Sequence, residues 1–176
     1  MTASPPAIPS GRITAMLQSE RARFEERNPC SGALAQRTAA HWLRGVPMHW
    51  MVDWGTPFPL FIEAAQGVAL TDADGHAYVD FCLGDTGAMF GHSPPAIADA
   101  ITRQAARGLT TMLPGPDAAI VGELLSRRFK LPFWQVTATA SDANRSVIRW
   151  ARGATGRAKI LVMQGCYHGA VDDTFV

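Results

Sequence analysis

A short segment near the C-terminal end combines hydroxyl and small side chains directly before a helical pattern. Thr139, Ala140 and Ser141 follow the apolar run 133–137 and precede residues with helical spacing. The first turn of a helix leaves backbone N–H groups unpaired and carries a partial positive charge, so it favours a phosphate. The small residues let the backbone approach an anion, and the two hydroxyls can donate further hydrogen bonds. The alternative interpretation is that Ser141 or Asp142 simply caps the helix.

An aromatic residue follows the next apolar run, within Gly165-Cys166-Tyr167-His168-Gly169. An aromatic side chain after a sheet strand can stack on a heteroaromatic ring, which stabilises by about 0.5–1.5 kcal/mol beyond area burial. Tyr167 is therefore a candidate ring-stacking residue, with a core or rim position as the alternative. His168 is either a hydrogen-bonding group on the substrate side or a structural histidine.

The order of these segments resembles the cofactor-binding half of class III aminotransferases, which depend on pyridoxal phosphate, and is closest to the glutamate-1-semialdehyde aminomutase branch. The family typically has Asn-Ser-Gly-Thr-Glu-Ala where this chain has residues 138–143, and its Tyr-His-Gly motif matches residues 167–169. The resemblance implies that Thr139, Ala140 and Ser141 bind the cofactor phosphate, that Tyr167 stacks on the ring and that His168 lies beside it.

Upstream segments follow the N-terminal pattern of the same class, so the resemblance covers roughly residues 34–173; they are 58–63, 67–81 and 91–94. It implies an α/β protein of fold type I among the transferases that use pyridoxal phosphate. Helices alternate with strand-like runs after residue 94, which independently predicts a mainly parallel sheet. The predicted organisation is a disordered tail (1–10), N-terminal helices with a β-meander (11–90), and the truncated beginning of the large cofactor-binding domain (91–176).

Periodicity and turn residues predict the individual elements. The helices are expected at 11–28, 34–43, 95–107, 116–129 and 141–154, and the strands at 60–65, 68–71, 76–81, 133–137 and 159–163. The sequence Asp72-Ala73-Asp74-Gly75 supplies turn chemistry, so the first three strands are expected to form a hairpin or meander.

The lysine that holds pyridoxal phosphate covalently in the family has no counterpart in this sequence. The chain has two lysines, Lys130 and Lys159, which we expect at the surface and which do not match the family's lysine. The catalytic lysine is accordingly expected beyond Val176, and no catalytic residue is assigned within the chain. The chain is expected to be an N-terminal portion that is inactive alone. The resemblance implies that the whole enzyme transfers an amino group between an amino acid and an oxo acid or aldehyde. The alternatives are a glutamate-1-semialdehyde-type aminomutase and a catalytically inactive remnant.

The loop at 45–54 is where many aminomutase-like members carry an arginine or serine for the substrate carboxylate. This loop has no arginine here, and instead contains Trp50 and Trp54, which either line an apolar substrate pocket or pack as ordinary side chains. The expected substrate is a small amino acid or amino-aldehyde.

Charge and composition limit the other partners. The net charge of +1 does not suggest the concentrated basic surface that is typical of nucleic-acid-binding proteins. No apolar run is long enough to span a membrane. Three widely spaced cysteines favour a reduced, cytoplasmic protein. The resemblance implies a homodimer at full length, in which the loop 110–115 reaches the neighbouring site.

Two further groups of side chains are interpreted as having neither a catalytic nor a metal-binding role. Arg145, Arg149 and Arg152 lie at helical spacing and are expected to form a solvated face, with Asp142 and Arg145 as a weak ion pair. No metal is predicted, because the candidate ligands do not have a zinc spacing; they are His92, Cys166, His168, Asp172 and Asp173.

Overall fold

The computed structural model describes residues 9–174. The described residues divide into two compact units, one ending at Leu109 and the other beginning at Thr110. The domain limits expected from the sequence, 11–90 and 91–176, stay a prediction. The predicted tail lies outside the described residues except for Pro9 and Ser10, and Ser10 already belongs to the first helix.

Two helices begin the first unit, α1 (Ser10–Arg27) and α2 (Pro29–Ala39). Asn28 ends α1, as expected from the Asn28-Pro29 pair, and it also directly precedes α2. The predicted bounds of the second helix, 34–43, were wrong at both ends. The helix starts earlier because Pro29 occupies its first position, where no N–H is needed, and because the Asp74 carboxylate accepts the next two amides, of Cys30 (2.6 Å) and Ser31 (3.0 Å).

The predicted meander is confirmed. Strands β1 (Ile62–Gln66), β2 (Ala69–Asp72) and β3 (Ala77–Val79) form an antiparallel sheet in the order β1-β2-β3. The turn between β2 and β3 uses the Asp72–Gly75 sequence, in which Gly75 has a φ of 84°. Helix α3 (Pro95–Ala105) follows the sheet.

Polar contacts hold much of the first unit together. Asp72 and Ser31 are completely buried, and the Ser31 hydroxyl accepts the amide of Phe61 at 3.4 Å. The rings of Phe24 on α1 and Phe58 before β1 pack with their centroids 5.1 Å apart. These contacts position the sheet against α1 and α2.

The second unit contains α4 (Asp117–Phe129) and α5 (Ala140–Thr155), both within one residue of their predicted limits. The predicted strands at 133–137 and 159–163 pair with no strand within residues 9–174. The sheet that the described residues do form is three-stranded and antiparallel, so the mainly parallel sheet predicted after residue 94 is not seen within residues 9–174. No helix among the described residues has the length and apolar character required to cross a membrane.

Candidate cofactor-binding site

Thr139 caps the N-terminus of α5. Its hydroxyl accepts the amide of Asp142 at 3.1 Å and donates to Asp142 Oδ2 at 2.8 Å. The structural alternative from the sequence, a cap by Ser141 or Asp142, was therefore wrong about the residue. An N-cap must have extended backbone just outside the helix, and Thr139 has it, with φ −139° and ψ 161°. The hydroxyl of Thr139 is consequently engaged within the cap, rather than free to donate to an anion.

The two amides that follow the cap remain available. The backbone N–H groups of Ala140 and Ser141 donate no hydrogen bond within residues 9–174, as is typical of the first turn of a helix. The Ser141 hydroxyl accepts the amide of Ala170 at 3.0 Å, which leaves its own proton free to donate. An anion at this end of α5 would find two amide donors and one hydroxyl donor.

The loop that carries Tyr167 and His168 lies against the same end of α5. Asn144 Nδ2 donates to the carbonyl oxygen of His168 at 2.8 Å, and Ala170 is held by Ser141. The side chain of Tyr167 is 83% exposed, so its ring faces are open. His168 Nε2 is buried and has no hydrogen-bond partner among the described residues.

The structure thus brings both predicted groups of cofactor-binding residues together within one unit. The helix N-terminus offers donors for a phosphate, and the adjacent loop offers an aromatic ring with free faces. The residues present fit a phosphorylated aromatic cofactor. Thr139 would contribute through the geometry of the cap, and Ala140 and Ser141 through their donors.

One of the three arginines on α5 is not solvated as predicted. Arg152 Nη1 contacts Asp173 Oδ1 at 2.9 Å, and its Nε donates to the carbonyl of Ala158 at 2.7 Å. The expected ion pair of Arg145 with Asp142 is present at 3.6 Å. Because Asn144 and Arg152 hold residues 168 and 173 respectively, the segment after the aromatic loop follows α5 from its first turns towards its last. No local pattern in the sequence predicts this contact, because its partners lie 21 residues apart.

Trp50 and Trp54 belong to the first unit and have different surroundings. Trp54 lines a largely apolar cavity of about 520 Å³ together with Val46, Pro47, Met51 and the residues that lead into β1. Trp50 is not among the residues that line this cavity. The loop has no arginine within 45–54, but Arg44 directly before it donates to Asp53 Oδ1 at 3.1 Å and to the carbonyl of His49 at 3.3 Å. Arg44 closes the loop, a role the sequence analysis missed.

The two lysines and the possible metal ligands are the remaining candidates from the sequence. Lys130 and Lys159 are both exposed, as expected. Within the part of the chain that the structure describes, no group of three metal-binding side chains comes together.

Comparison with known proteins decides the family. A family model for the class-III aminotransferases matches residues 51–175. The chain belongs to the class III aminotransferases. A crystal structure of a glutamate-1-semialdehyde aminomutase from Pseudomonas aeruginosa is similar, with a TM-score of 0.88 and 50% identity over 94% of this chain and 36% of that chain.

Two other solved structures are similar to this chain at lower identity. A β-phenylalanine aminotransferase from Variovorax paradoxus is 31% identical, with a TM-score of 0.83, over 90% of this chain and 37% of that chain. A transaminase with PLP bound is 28% identical, with a TM-score of 0.74, over 82% and 34%. This class III chain therefore spans about a third of the length of these relatives. The family and the type I α/β fold expected from the motifs are confirmed.

Proposed function

We propose that this class III chain supplies the phosphate-binding and ring-stacking part of an aminotransferase that uses pyridoxal 5'-phosphate. The observation that carries the proposal is the pair of free amides at Ala140 and Ser141 beside the loop of Tyr167. The reaction would transfer an amino group between an amino acid and an oxo acid or aldehyde. The relatives with PLP bound and with aminotransferase activity support this assignment.

The residues of this chain would bind and orient. The amides of Ala140 and Ser141, with the Ser141 hydroxyl, would hold the phosphate, and the Tyr167 ring would lie against the cofactor ring with His168 beside it. When bound, pyridoxal phosphate supplies an electron sink for the negative charge that develops at the carbon bearing the amino group. Neither Lys130 nor Lys159 is assigned to proton transfer, and no catalytic residue is assigned here.

A second candidate activity is the aminomutase reaction. It is favoured by the 50% identity with a glutamate-1-semialdehyde aminomutase over 94% of this chain. The cavity beside Trp54 is then the proposed place for apolar parts of the substrate, and a small amino acid or amino-aldehyde is the proposed substrate class. A remnant that binds phosphate ligands without catalysis is the other alternative.

We further infer a cytoplasmic homodimer. Cys30, Cys82 and Cys166 are exposed and form no disulfide, as suits a reducing compartment. In the loop 110–115 the apolar side chain of Met112 is fully exposed and that of Leu113 largely so, as suits a loop that reaches a partner subunit.

The phosphate site is tested by a charge placed at the start of α5. Ala140→Asp should weaken the binding of inorganic phosphate and of pyridoxal phosphate at least about fivefold, because two charges about 4 Å apart repel by about 1–4 kcal/mol. An acidic residue in the first turn favours the helix, so folding should be retained. The readout is equilibrium dialysis of each ligand with the 176-residue chain.

The matched control is Ala118→Asp, which makes the same change in the first turn of α4, where Ala118 is also exposed. It should change either affinity less than twofold. Equal binding by wild type and Ala140→Asp would contradict the proposed phosphate site.

A further inference from the structure

Two side chains on one face of α5 fix the loop that carries Tyr167. Ser141 and Asn144 are three residues apart, so they lie on the same side of the helix. The Ser141 hydroxyl accepts the amide of Ala170 at 3.0 Å, and Asn144 Nδ2 donates to the carbonyl of His168 at 2.8 Å. The backbone is thus held one and three residues after Tyr167.

Gly169 lets the loop come this close. It lies between the two held positions with a φ of 89°, and a Cβ built on it would lie 2.7 Å from Ser141 Oγ and 3.1 Å from Ser141 Cα. The second distance involves backbone, so a rotation of the serine side chain would relieve the first contact but leave this tight one, and the backbone would have to shift by a few tenths of an ångström. The positive φ adds a strain that L side chains rarely accept.

The hydrogen bonds from Ser141 and Asn144, here called the clamp, fix the backbone after Tyr167 but not its side chain. The backbone is anchored just after this residue, whereas the ring itself is 83% exposed and its Cys166 neighbour is also exposed. Packing on the ring therefore cannot set its position, and the hydrogen bond to the next carbonyl can. Asn144 suits the role because its amide is a neutral donor that adds no charge beside the anion-binding end of α5.

We propose that Asn144 is a positioning residue that, through the carbonyl of His168, sets the place of the Tyr167 ring beside the phosphate-binding end of α5. The proposal rests on the proposed cofactor site and extends it to a residue that would not touch the cofactor. The clamp pre-organises the loop, so the ring contribution to binding should depend on Asn144 while the phosphate contribution should not.

The test compares two ligands and two variants. Asn144→Ala in the 176-residue chain should raise the dissociation constant for pyridoxal phosphate by about 2- to 12-fold, the range that aromatic stacking contributes. The dissociation constant for inorganic phosphate should stay within twofold, because Ala140 and Ser141 are untouched. The control is Val147→Ala, an uncharged truncation of an exposed side chain on the same helix, which should change neither constant.

A readout without ligand tests the clamp itself. Hydrogen exchange at the Ala170 amide should be faster in Asn144→Ala than in wild type or Val147→Ala. Unchanged exchange, or an equal loss of affinity for both ligands, would overturn the role of Asn144. If the wild-type chain bound inorganic phosphate and pyridoxal phosphate equally tightly, the Tyr167 ring would add nothing to binding. That result would contradict the positioning role of Asn144 and leave the phosphate site in place. Failure of wild type to bind either ligand would remove the proposed cofactor site and this inference together.

Discussion

A single buried carboxylate organises the turn of the β-meander. Asp72 Oδ1 accepts the amides of Asp74 (3.0 Å) and His76 (2.8 Å), and Oδ2 accepts the Tyr78 hydroxyl at 2.8 Å. His76 Nδ1 lies 3.1 Å from Oδ2 and must donate, because an ionised carboxylate only accepts. Burial by itself raises the pKa of Asp72, but these hydrogen bonds outweigh it and hold the pKa below its usual value. Burial and the bond to Asp72 raise the pKa of Tyr78 to about 12.

Replacing this carboxylate should destabilise the first unit strongly. We expect Asp72→Asn to lower the free energy of unfolding by about 2–3 kcal/mol, since the new NH2 group faces donors that then lack an acceptor. Tyr78→Phe, which removes one donor, should cost only about 1 kcal/mol. Urea unfolding provides the measurement, with Asp99→Asn on the exposed face of α3 as control. A loss for Asp72→Asn no greater than for Asp99→Asn would show that the cluster adds nothing to stability.

At the scale of elements, the start of α2 depends on a residue that is distant in the chain. Its flanking residue Asn28 makes no side-chain cap: Asn28 Oδ1 has no hydrogen-bond partner among the described residues, and Nδ2 donates back to the carbonyl of Phe24 at 2.7 Å. The carboxylate of Asp74, on the turn between β2 and β3, accepts the free amides of Cys30 and Ser31 instead. The same hydrogen-bonded carboxylate raises the pKa of the Cys30 thiol. The turn and the helix therefore stabilise each other.

Removing this cap should open the first turn of α2. In Asp74→Ala, hydrogen exchange at Cys30 and Ser31 should accelerate about five- to tenfold, the factor that corresponds to the loss of a typical N-cap. The α5 amide of Asp142, which Thr139 caps locally, serves as the internal reference and should not change. Equal exchange at Cys30 and Ser31 in wild type and variant would mean that the helix start is stable without Asp74.

At the scale of the molecule, acid should act on the unit that ends at Leu109. Asp80 accepts His92 Nε2 at 2.6 Å and the amides of Cys82 and Leu83, and the bond from His92 is the main cause of its lowered pKa. The pKa of Asp72 is lowered as well. A carboxylate with a lowered folded-state pKa contributes stability that is present above its unfolded value, about 3.8, and is lost as the pH falls through the folded value.

The contribution of these carboxylates to the urea midpoint of this unit should therefore be nearly constant between about pH 5 and 7. Below about pH 4 the midpoint should fall steeply. Asp80→Asn should lower the midpoint at pH 6 and flatten the acid decline. Unfolding is followed by hydrogen exchange of β2 and β3 in the full chain. An acid decline of the same steepness in wild type and Asp80→Asn would exclude this carboxylate as a cause.

Local sequence determined the helices, the β-meander and the family of this protein, but the strands predicted at 133–137 and 159–163 are absent from the sheet of the described residues. The helix periods, the turn residues 72–75 and the order of the phosphate-binding and aromatic motifs all act over a few residues, so the helices, the meander and the class III assignment followed from them. The N-terminal bound of α2 did not, because one of its capping groups lies 43 residues away from Ser31.

Only the tertiary structure decided how the candidate site is held together. The bonds of Ser141 to Ala170, Asn144 to His168 and Arg152 to Asp173 join residues 29, 24 and 21 positions apart. The periodicity of the sequence does not predict such pairs, because each forms only after α5 and the following segment have packed. The candidate site residues were therefore predicted from residue types and stay a prediction, whereas their arrangement depended on which distant polar groups met.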